Sequence, residues 1–354
     1  MLFQLMDSKT DCAGTYFDGH FIWDKIPDGI TQTWAYSEHL FGRDIDYANL
    51  LVSGRSIDGV CPDTLRDRWE AASKLIKAHF KGCNTAKMNI DDVCFYEIVP
   101  KKHLQHYFDT KSQITQWVFD NHEKPENYYF LKNLQTAIKE LKRHPVNLNS
   151  FGVYCHAADD LKAKHLYEQF GEETPYVDYD IFGTVTGRMT TKRGSFPALN
   201  LKRELKKHVR PNNDVFLELD FNAAEIRTML ALQGHEQPEE DIHEWNIKEV
   251  FKKDLSRDEA KTKIFAWLYN QESKAIKSDY YDREILLEKY FKEGVVETPF
   301  GRSIVAPVRK ALNYLLQSSS SDNTLERFIR VSNFLRATKS HVAFVVHDSV
   351  VIDL

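Results

Sequence analysis

Apolar residues at helical spacing dominate the middle of the first half of the chain. Hydrophobic positions three and four residues apart, with charged residues between them, predict amphipathic helices over three segments: 65–80, 101–122 and 127–144. Before them, aromatic residues alternate with glycines in residues 1–62, which predicts short strands and turns. Further on, the charged segment 278–297 is predicted to be helical.

Two stretches show the pattern of strands. Residues 215–219 are almost all apolar and predict a short buried strand that ends in the carboxylate of Asp220. Residues 341–354 contain two β-branched runs on either side of a polar break, which predicts a β-hairpin with Asp348 at its tip. By itself, Asp220 could simply cap the helix that follows, since Asp is a favoured N-cap residue.

The two strand patterns together favour a metal site. If the hairpin lies beside the Asp220 strand, the carboxylates of Asp220 and Asp348 converge and repel each other, so a cation must hold them. Mg²⁺ binds one or two protein carboxylates together with substrate phosphates. A pair of such ions about 3.5–4 Å apart promotes in-line phosphoryl transfer.

A helix with mixed chemistry on one face lies between these stretches. Ser256 and Glu259 form a capping box, which predicts a helix over residues 257–270. Four of its residues recur every fourth position, and such a row drifts by only about 40° per step around a helix. They are Arg257, Lys261, Phe265 and Tyr269. Cations beside aromatic rings suit a nucleotide, with the cations on the triphosphate and the rings on base and sugar.

Composition changes this picture little. The chain has 354 residues, which predicts two or three subdomains, and its net charge of −5 lacks the overall basic character of a nucleic-acid-binding protein. Basic residues are nevertheless concentrated between positions 192 and 210, where they could meet phosphates. The odd number of cysteines, five, without any Cys-x-x-Cys pair argues against zinc or disulfide frameworks and for a reducing compartment.

The sequence resembles the family A DNA polymerases, the group of bacterial polymerase I and many phage replicases. DFNAAEIR at 220–227 is similar to motif A of that family, VVHDS at 345–349 to motif C, and the row on the helix 257–270 to motif B. Three shorter elements also resemble the family: Thr186-Gly187-Arg188, Asp241-Ile242-His243 and the Thr298–Arg302 turn. The resemblance covers roughly residues 89–354.

The resemblance implies an α+β right-hand polymerase fold, with an antiparallel palm sheet, helical fingers and a helical thumb. The implied domains are an N-terminal segment of unclear role, which could be a remnant of an exonuclease domain, a thumb-like region, a palm part with motif A, fingers with motif B and a second palm part with motif C. Their bounds are 1–62, 63–150, 151–234, 235–297 and 298–354. The implied activity is template-directed synthesis of DNA by a nucleotidyltransferase, in replication and of viral source.

The resemblance also implies roles for individual residues. Two Mg²⁺ ions would be held by Asp220, Asp348 and the backbone carbonyl of Phe221, with Lys261 as the general acid for the leaving pyrophosphate. The deoxynucleotide would be bound by Arg257, Lys261, Phe265, Tyr269, Glu225 and His243, and Glu225 would exclude ribonucleotides. The primer–template DNA would be bound by Arg188, Asn200, Arg309, Asn313, Gln317 and His347.

Departures from the family pattern leave alternatives open. Ser349 stands where family DNA polymerases have Glu, which removes an accessory carboxylate and resembles the single-subunit RNA polymerases, although Glu225 opposes that reading. Residues 1–214 contain no Asp-x-Glu, so we expect no proofreading site. The chain ends soon after motif C. We therefore also consider an inactive primer–template-binding fragment, or half of a split polymerase completed by a second polypeptide. With no signal peptide and no apolar run of membrane length, we expect a cytoplasmic protein without a membrane partner.

Overall fold

The computed structural model of the protein describes residues 3–7, 13–23, 25–34, 38–40, 42–88, 94–270 and 272–354. The start of the family resemblance, near Asn89, lies outside these residues. The chain divides into two compact units, Met1–Lys139 and Glu140–Leu354. The division falls within the predicted thumb-like segment 63–150, and residues 1–62 share a unit with most of that segment.

The first unit combines short strands with long helices. Its strands are β1 (Phe3–Asp7), β2 (Ala13–Phe17), β3 (His20–Trp23), β4 (Gln32–Thr33) and β5 (Asp46–Tyr47). Its helices are α1 (Ala48–Leu51), α2 (Ile57–Val60), α3 (Asp63–Thr85), α4 (Phe95–Ile98), α5 (Lys101–Asn121) and α6 (Tyr128–Lys142), the last of which runs on into the second unit. The predicted helices at 65–80, 101–122 and 127–144 are thus confirmed, as are short strands before them.

The core of the first unit forms where the antiparallel sheet β1-β2-β3 meets the helices. Tyr16 on β2 packs among Val99, Leu104 and Phe108, and its ring stacks on that of Phe108 at 5.8 Å. The amphipathic pattern predicted for this segment is therefore confirmed, because α5 buries its apolar face and leaves its polar face to solvent.

The second unit begins with small elements. They are β6 (Asn147–Leu148), α7 (Ser150–His156), α8 (Leu161–Phe170), β7 (Tyr179–Asp180), β8 (Thr190–Thr191), α9 (Arg203–Lys206) and β9 (Val209–Arg210). The larger elements follow: β10 (Phe216–Asp220), α10 (Ala224–Leu232), α11 (Ile242–Asn246), α12 (Arg257–Tyr269), α13 (Arg283–Tyr290), β11 (Phe291–Lys292), β12 (Val295–Glu297), β13 (Ser303–Val305), α14 (Val308–Leu335), β14 (His341–Val346) and β15 (Ser349–Asp353).

The central sheet of this unit is antiparallel, with strand order β10-β15-β14. The predicted hairpin is confirmed as β14 and β15. Strands β14 and β15 contact α14, and α14 also contacts α10. An apolar core joins α10, α12 and α14 through residues such as Met229, Ile264 and Leu315. The fold is thus a mixed α+β arrangement, as predicted.

The prediction of a buried strand at 215–219 is wrong. Strand β10 does form, but in the part of the chain that the structure describes it lies at the edge of the sheet and pairs with β15 alone. Val215, Leu217 and Leu219 remain 54%, 42% and 46% exposed. An apolar run indicates a strand, but burial also requires a second strand or a helix over the same face.

Two further predictions need correction. The segment 278–297 is helical only in α13, and the chain then turns into the hairpin of β11 and β12 through Glu293 and Gly294, both at positive φ. That backbone belongs to a tight hairpin turn, which favours glycine. The expectation of reduced cysteines is wrong at Cys94, which is disulfide-bonded, although Cys61, Cys83 and Cys155 are free.

Within the described part of the chain, no helix combines the length and the apolar character needed to cross a bilayer.

Candidate active site

Two carboxylates meet at one end of the central sheet. Asp220 is the last residue of β10 and pairs with Ser349, the first residue of β15. Asp348 lies in the two-residue loop between β14 and β15. The backbone N–H of Phe221 donates to the carbonyl oxygen of Asp348 at 3.3 Å, which fixes the two chain segments side by side. The convergence expected from the sequence therefore occurs.

The surroundings of these carboxylates oppose their negative charge. Burial raises the pKa of Asp348, the charges of Glu225 and Asp220 raise it further, and the Arg188 guanidinium lowers it. Partial desolvation also raises the pKa of Asp220, and the neighbouring Glu218 carboxylate adds to the effect. Such clustered anions are stabilised by a cation placed between them.

Two left-handed residues shape the backbone around the carboxylates. His347, in the hairpin loop, has φ +53°, and Ala223, at the start of α10, has φ +50°. Neither is glycine, so each conformation costs about 1–2 kcal/mol. The turn at Ala223 starts α10 directly after β10. It thereby brings Glu225, in the first turn of that helix, close to Asp348.

Glu225 is the hydrogen-bonding centre of the site. Its side chain is 9% exposed, and it accepts a hydrogen bond from Nη2 of Arg188 at 2.7 Å. The hydroxyl of Tyr269 donates to its other carboxylate oxygen. Burial and the Glu225 carboxylate both raise the pKa of Tyr269. Residues from three sequence motifs thus form one network, which we call the Glu225 network: Arg188, Glu225 and Tyr269.

Most of the row of residues on α12 faces solvent, while Phe265 packs against the core. Arg257, Lys261 and Tyr269 are exposed, Phe265 is half-buried, and the rings of Phe265 and Tyr269 stack at 6.0 Å with an angle of 14° between their planes. The opposite side of the helix is buried through Ala260, Ile264, Trp267 and Leu268. The predicted capping box at Ser256 and Glu259 is confirmed. Because the buried positions lie on the other side of the helix, the cations and the aromatic rings of the row share its more exposed face.

Helix α11 packs beside this row, and its N-cap residue, Asp241, forms an ion pair with Arg257 of the row. Asp241 caps α11 and also accepts a hydrogen bond from Nη2 of Arg257 at 2.8 Å, which holds the pKa of Asp241 well below its usual range. His243 is buried, and burial lowers its pKa. Its ring lies 6.2 Å from that of Phe265, and its Nδ1 has no hydrogen-bond partner.

The remaining DNA-binding candidates lie outside the Glu225 network. Arg309, Asn313 and Gln317 recur along one side of α14, where Arg309 is exposed and the other two are half-buried. Asn200 is exposed at the end of a short turn over Ala198–Asn200, and His347 is exposed in the hairpin loop. Arg309, Asn200 and His347 are therefore accessible to a ligand, and Asn313 and Gln317 are partly so.

Sequence reasoning missed the place of Glu218 in this region and the pairing of Arg302 with Asp322. Glu218 lies two positions before Asp220 on β10, hence on the same face, and accepts a hydrogen bond from Oγ of Ser349 at 2.8 Å. The two-residue period of a strand would have indicated this. Arg302 and Asp322 form a bidentate ion pair, and no local pattern could have joined them.

The donor set suits a hard divalent cation. No group of three His, Cys, Asp or Glu side chains gathers as a metal cluster among the residues that the structure describes. The two carboxylates of Asp220 and Asp348 remain. Because Mg²⁺ takes one or two protein carboxylates and completes its shell with water and phosphate oxygens, the residues present fit that ion.

Comparison with known proteins finds similarity to solved structures but none to known sequences. No family model and no curated protein sequence matches this chain. Its structure is similar to the POL domain of Pol1 from M. smegmatis in a complex with DNA primer-template and dNTP, with a TM-score of 0.44 and 15% identity. The similarity covers 87% of this chain and 60% of that one. A similarity with so low a TM-score and identity says nothing about the activity of this chain, which has to be inferred from the residues of the site.

Proposed function

We propose that this protein is a DNA-directed DNA polymerase of the family A type, which adds deoxynucleotides to a primer 3′ end. The observation that carries the proposal is the convergence of Asp220 and Asp348 at the sheet end, with Glu225 beside them. In this assignment the central sheet belongs to the palm, α12 to the fingers and the helices of 63–150 to the thumb.

Magnesium would be held by the carboxylates of Asp220 and Asp348 and by the carbonyl of Phe221. Bound there, two Mg²⁺ ions would lower the pKa of the primer 3′-hydroxyl and offset the charge of the triphosphate. The raised pKa values of both Asp side chains reflect a cluster of negative charge, which a bound cation would offset.

The triphosphate would bind along α12. Arg257 would exchange its contact with Asp241 for a phosphate oxygen, and His243 lies beside Phe265 for a further contact. Lys261 is exposed one helical turn from Arg257 and would protonate the pyrophosphate as it leaves. Phe265 would lie against the sugar and Tyr269 against the templating base.

The sugar would be selected by Glu225. Its carboxylate is held by Arg188 and Tyr269, so it cannot swing aside freely when a 2′-hydroxyl approaches. An enclosed side chain of this kind rejects the larger sugar by steric exclusion, which favours deoxynucleotides. The primer–template would contact Arg188 and the remaining DNA-binding candidates, which are Asn200, Arg309, Asn313, Gln317 and His347.

Primer extension with Mg²⁺ tests the proposal. The purified chain should extend a labelled primer with deoxynucleotides and not with ribonucleotides. Asp348→Asn should abolish extension and leave primer–template binding, measured by fluorescence anisotropy, within a few-fold of the parent. Asp353→Asn is a matched control, because Asp353 lies at the other end of β15 and accepts hydrogen bonds from the backbone of Asn212 and Asn213.

Other outcomes would assign a different function. Extension with ribonucleotides would point to an enzyme like the single-subunit RNA polymerases, which the serine at 349 resembles. Primer–template binding without extension would indicate an inactive binding protein or a part that needs a second polypeptide. Near-normal extension by Asp348→Asn would refute the assignment of the site.

A further inference from the structure

A buried ion pair lies beside the turn that carries Arg188, and it has no role in the function proposed above. Nε and Nη2 of Arg302 donate to the two carboxylate oxygens of Asp322 at 2.6 and 2.8 Å. The side chain of Arg302 is 11% exposed and that of Asp322 is fully buried. Arg302 ends the turn between β12 and β13, and Asp322 lies on α14, so the pair ties a hairpin to the central helix.

The guanidinium of this pair touches the turn that precedes Arg188. Gly187 has φ +78°, and a Cβ atom at this position would lie 2.5 Å from Cζ and 2.7 Å from Nε of Arg302. Such distances are sterically forbidden, so the backbone of Gly187 lies directly against the guanidinium. Glycine is therefore required here twice, for its positive φ and for the close approach.

The turn is short and internally closed. The N–H of Gly187 donates to the carbonyl oxygen of Thr184 at 3.3 Å, and Oγ1 of Thr184 donates to the carbonyl oxygen of Arg188 at 2.8 Å. The next side chain, Arg188, reaches the carboxylate of Glu225. A displacement of the guanidinium of Arg302 would therefore pass through Gly187 directly to Arg188.

We propose that Arg302 and Asp322 are positioning residues, which hold the Thr184–Arg188 turn so that Arg188 reaches Glu225 and the end of the primer. The inference rests on the proposed function for its catalytic consequence. The planar guanidinium gives the turn a flat support, and Asp322 fixes its orientation through two hydrogen bonds. Lysine cannot reproduce either feature, because its ammonium is a compact charge without a plane.

The other explanation is a purely structural one, in which the pair only stabilises the hairpin against α14. The two explanations differ in whether changes to the ion pair act through Arg188, so Arg188→Ala distinguishes them. We would compare Arg302→Lys and Asp322→Asn with the control Asp353→Asn, which also alters a fully buried aspartate of the same unit. Each would be measured with and without Arg188→Ala.

The first readout is amide hydrogen exchange in a peptide that covers residues 183–190, and it does not depend on catalysis. Arg302→Lys and Asp322→Asn should each make the amides of this turn exchange at least ~10-fold faster, whereas Asp353→Asn should leave their exchange unchanged. Unchanged exchange in both Arg302→Lys and Asp322→Asn would overturn the inference. Thermal melts confirm that each variant is folded under the conditions of the measurement.

The second readout is kcat/KM for primer extension. Arg302→Lys should lower it by roughly 10–100-fold, since small misplacements of a positioning group have effects of that size. In the Arg188→Ala background the same change should have almost no further effect. Multiplicative losses would overturn the inference. Absence of extension by the parent protein would instead refute the proposed function, and the exchange comparison would still decide whether the pair holds the turn.

Discussion

Arg283 closes the C-terminal end of the helix that carries the nucleotide-binding candidates. Its Nη1 donates to the carbonyl oxygens of Trp267 and Asn270 at 3.0 and 2.9 Å, and its Nη2 donates to that of Ser273 at 2.6 Å. Its guanidinium carbon also lies 4.4 Å from the centre of the buried Trp267 ring. Because the last carbonyls of a helix lack partners within the helix, this one side chain replaces several missing hydrogen bonds.

The contacts give the expected magnitude of Arg283→Ala. Hydrogen bonds to a charged donor contribute about 1.5–3 kcal/mol each, and a cation–π contact adds about 0.5–2 kcal/mol. Arg283 is half-buried, so the lower values apply and sum to about 5 kcal/mol, and water that reaches some of the freed carbonyls brings the expected loss to about 3–5 kcal/mol. Arg283→Lys should lose about half of that, since an ammonium keeps the charge but not the fork.

Urea unfolding followed by far-ultraviolet circular dichroism would measure these losses. Lys289→Ala is the control, because Lys289 lies on α13 together with Arg283 and is exposed. Its ammonium also contacts an aromatic ring, that of Tyr290. We expect its effect to stay within about 0.5 kcal/mol. If Arg283→Ala lowers the free energy of unfolding by less than about 1 kcal/mol, or by no more than the control, the account of the helix end is wrong.

Three further predictions follow from other contacts. Burial and the stacked His341 lower the pKa of His144 to about 4, so stability should fall as the pH drops from about 6.5 towards 4, and His144→Gln should reduce that fall in acid urea titrations. Ala223→Gly should raise the free energy of unfolding by about 0.5–1 kcal/mol by relieving the left-handed backbone, seen as a higher urea midpoint. Glu218→Gln should raise the Mg²⁺ concentration for half-maximal extension several-fold, by titration, because it removes a charge beside Asp220.

Local patterns in the sequence predicted what depends on near neighbours. The capping box at Ser256, the four-residue spacing along α12 and the hairpin with Asp348 in its loop all formed, because helix and strand periods place residues a few positions apart on one face. The prediction of a helix over 278–297 was wrong because its charge pattern does not show where the backbone must turn. Glu293 and Gly294 adopt positive φ, which is typical of a hairpin turn and ends the helical part.

The sequence by itself determined the helices, the hairpin and the candidate carboxylates, since these rest on residue type and short spacing. Tertiary structure alone decided which charges became partners. Arg188 pairs with Glu225, Arg257 pairs with Asp241, and Arg302 forms a buried pair with Asp322. It also left β10 at the edge of the sheet. Each outcome depends on how distant segments pack, and a periodic pattern along one element holds no information about which element will lie against it.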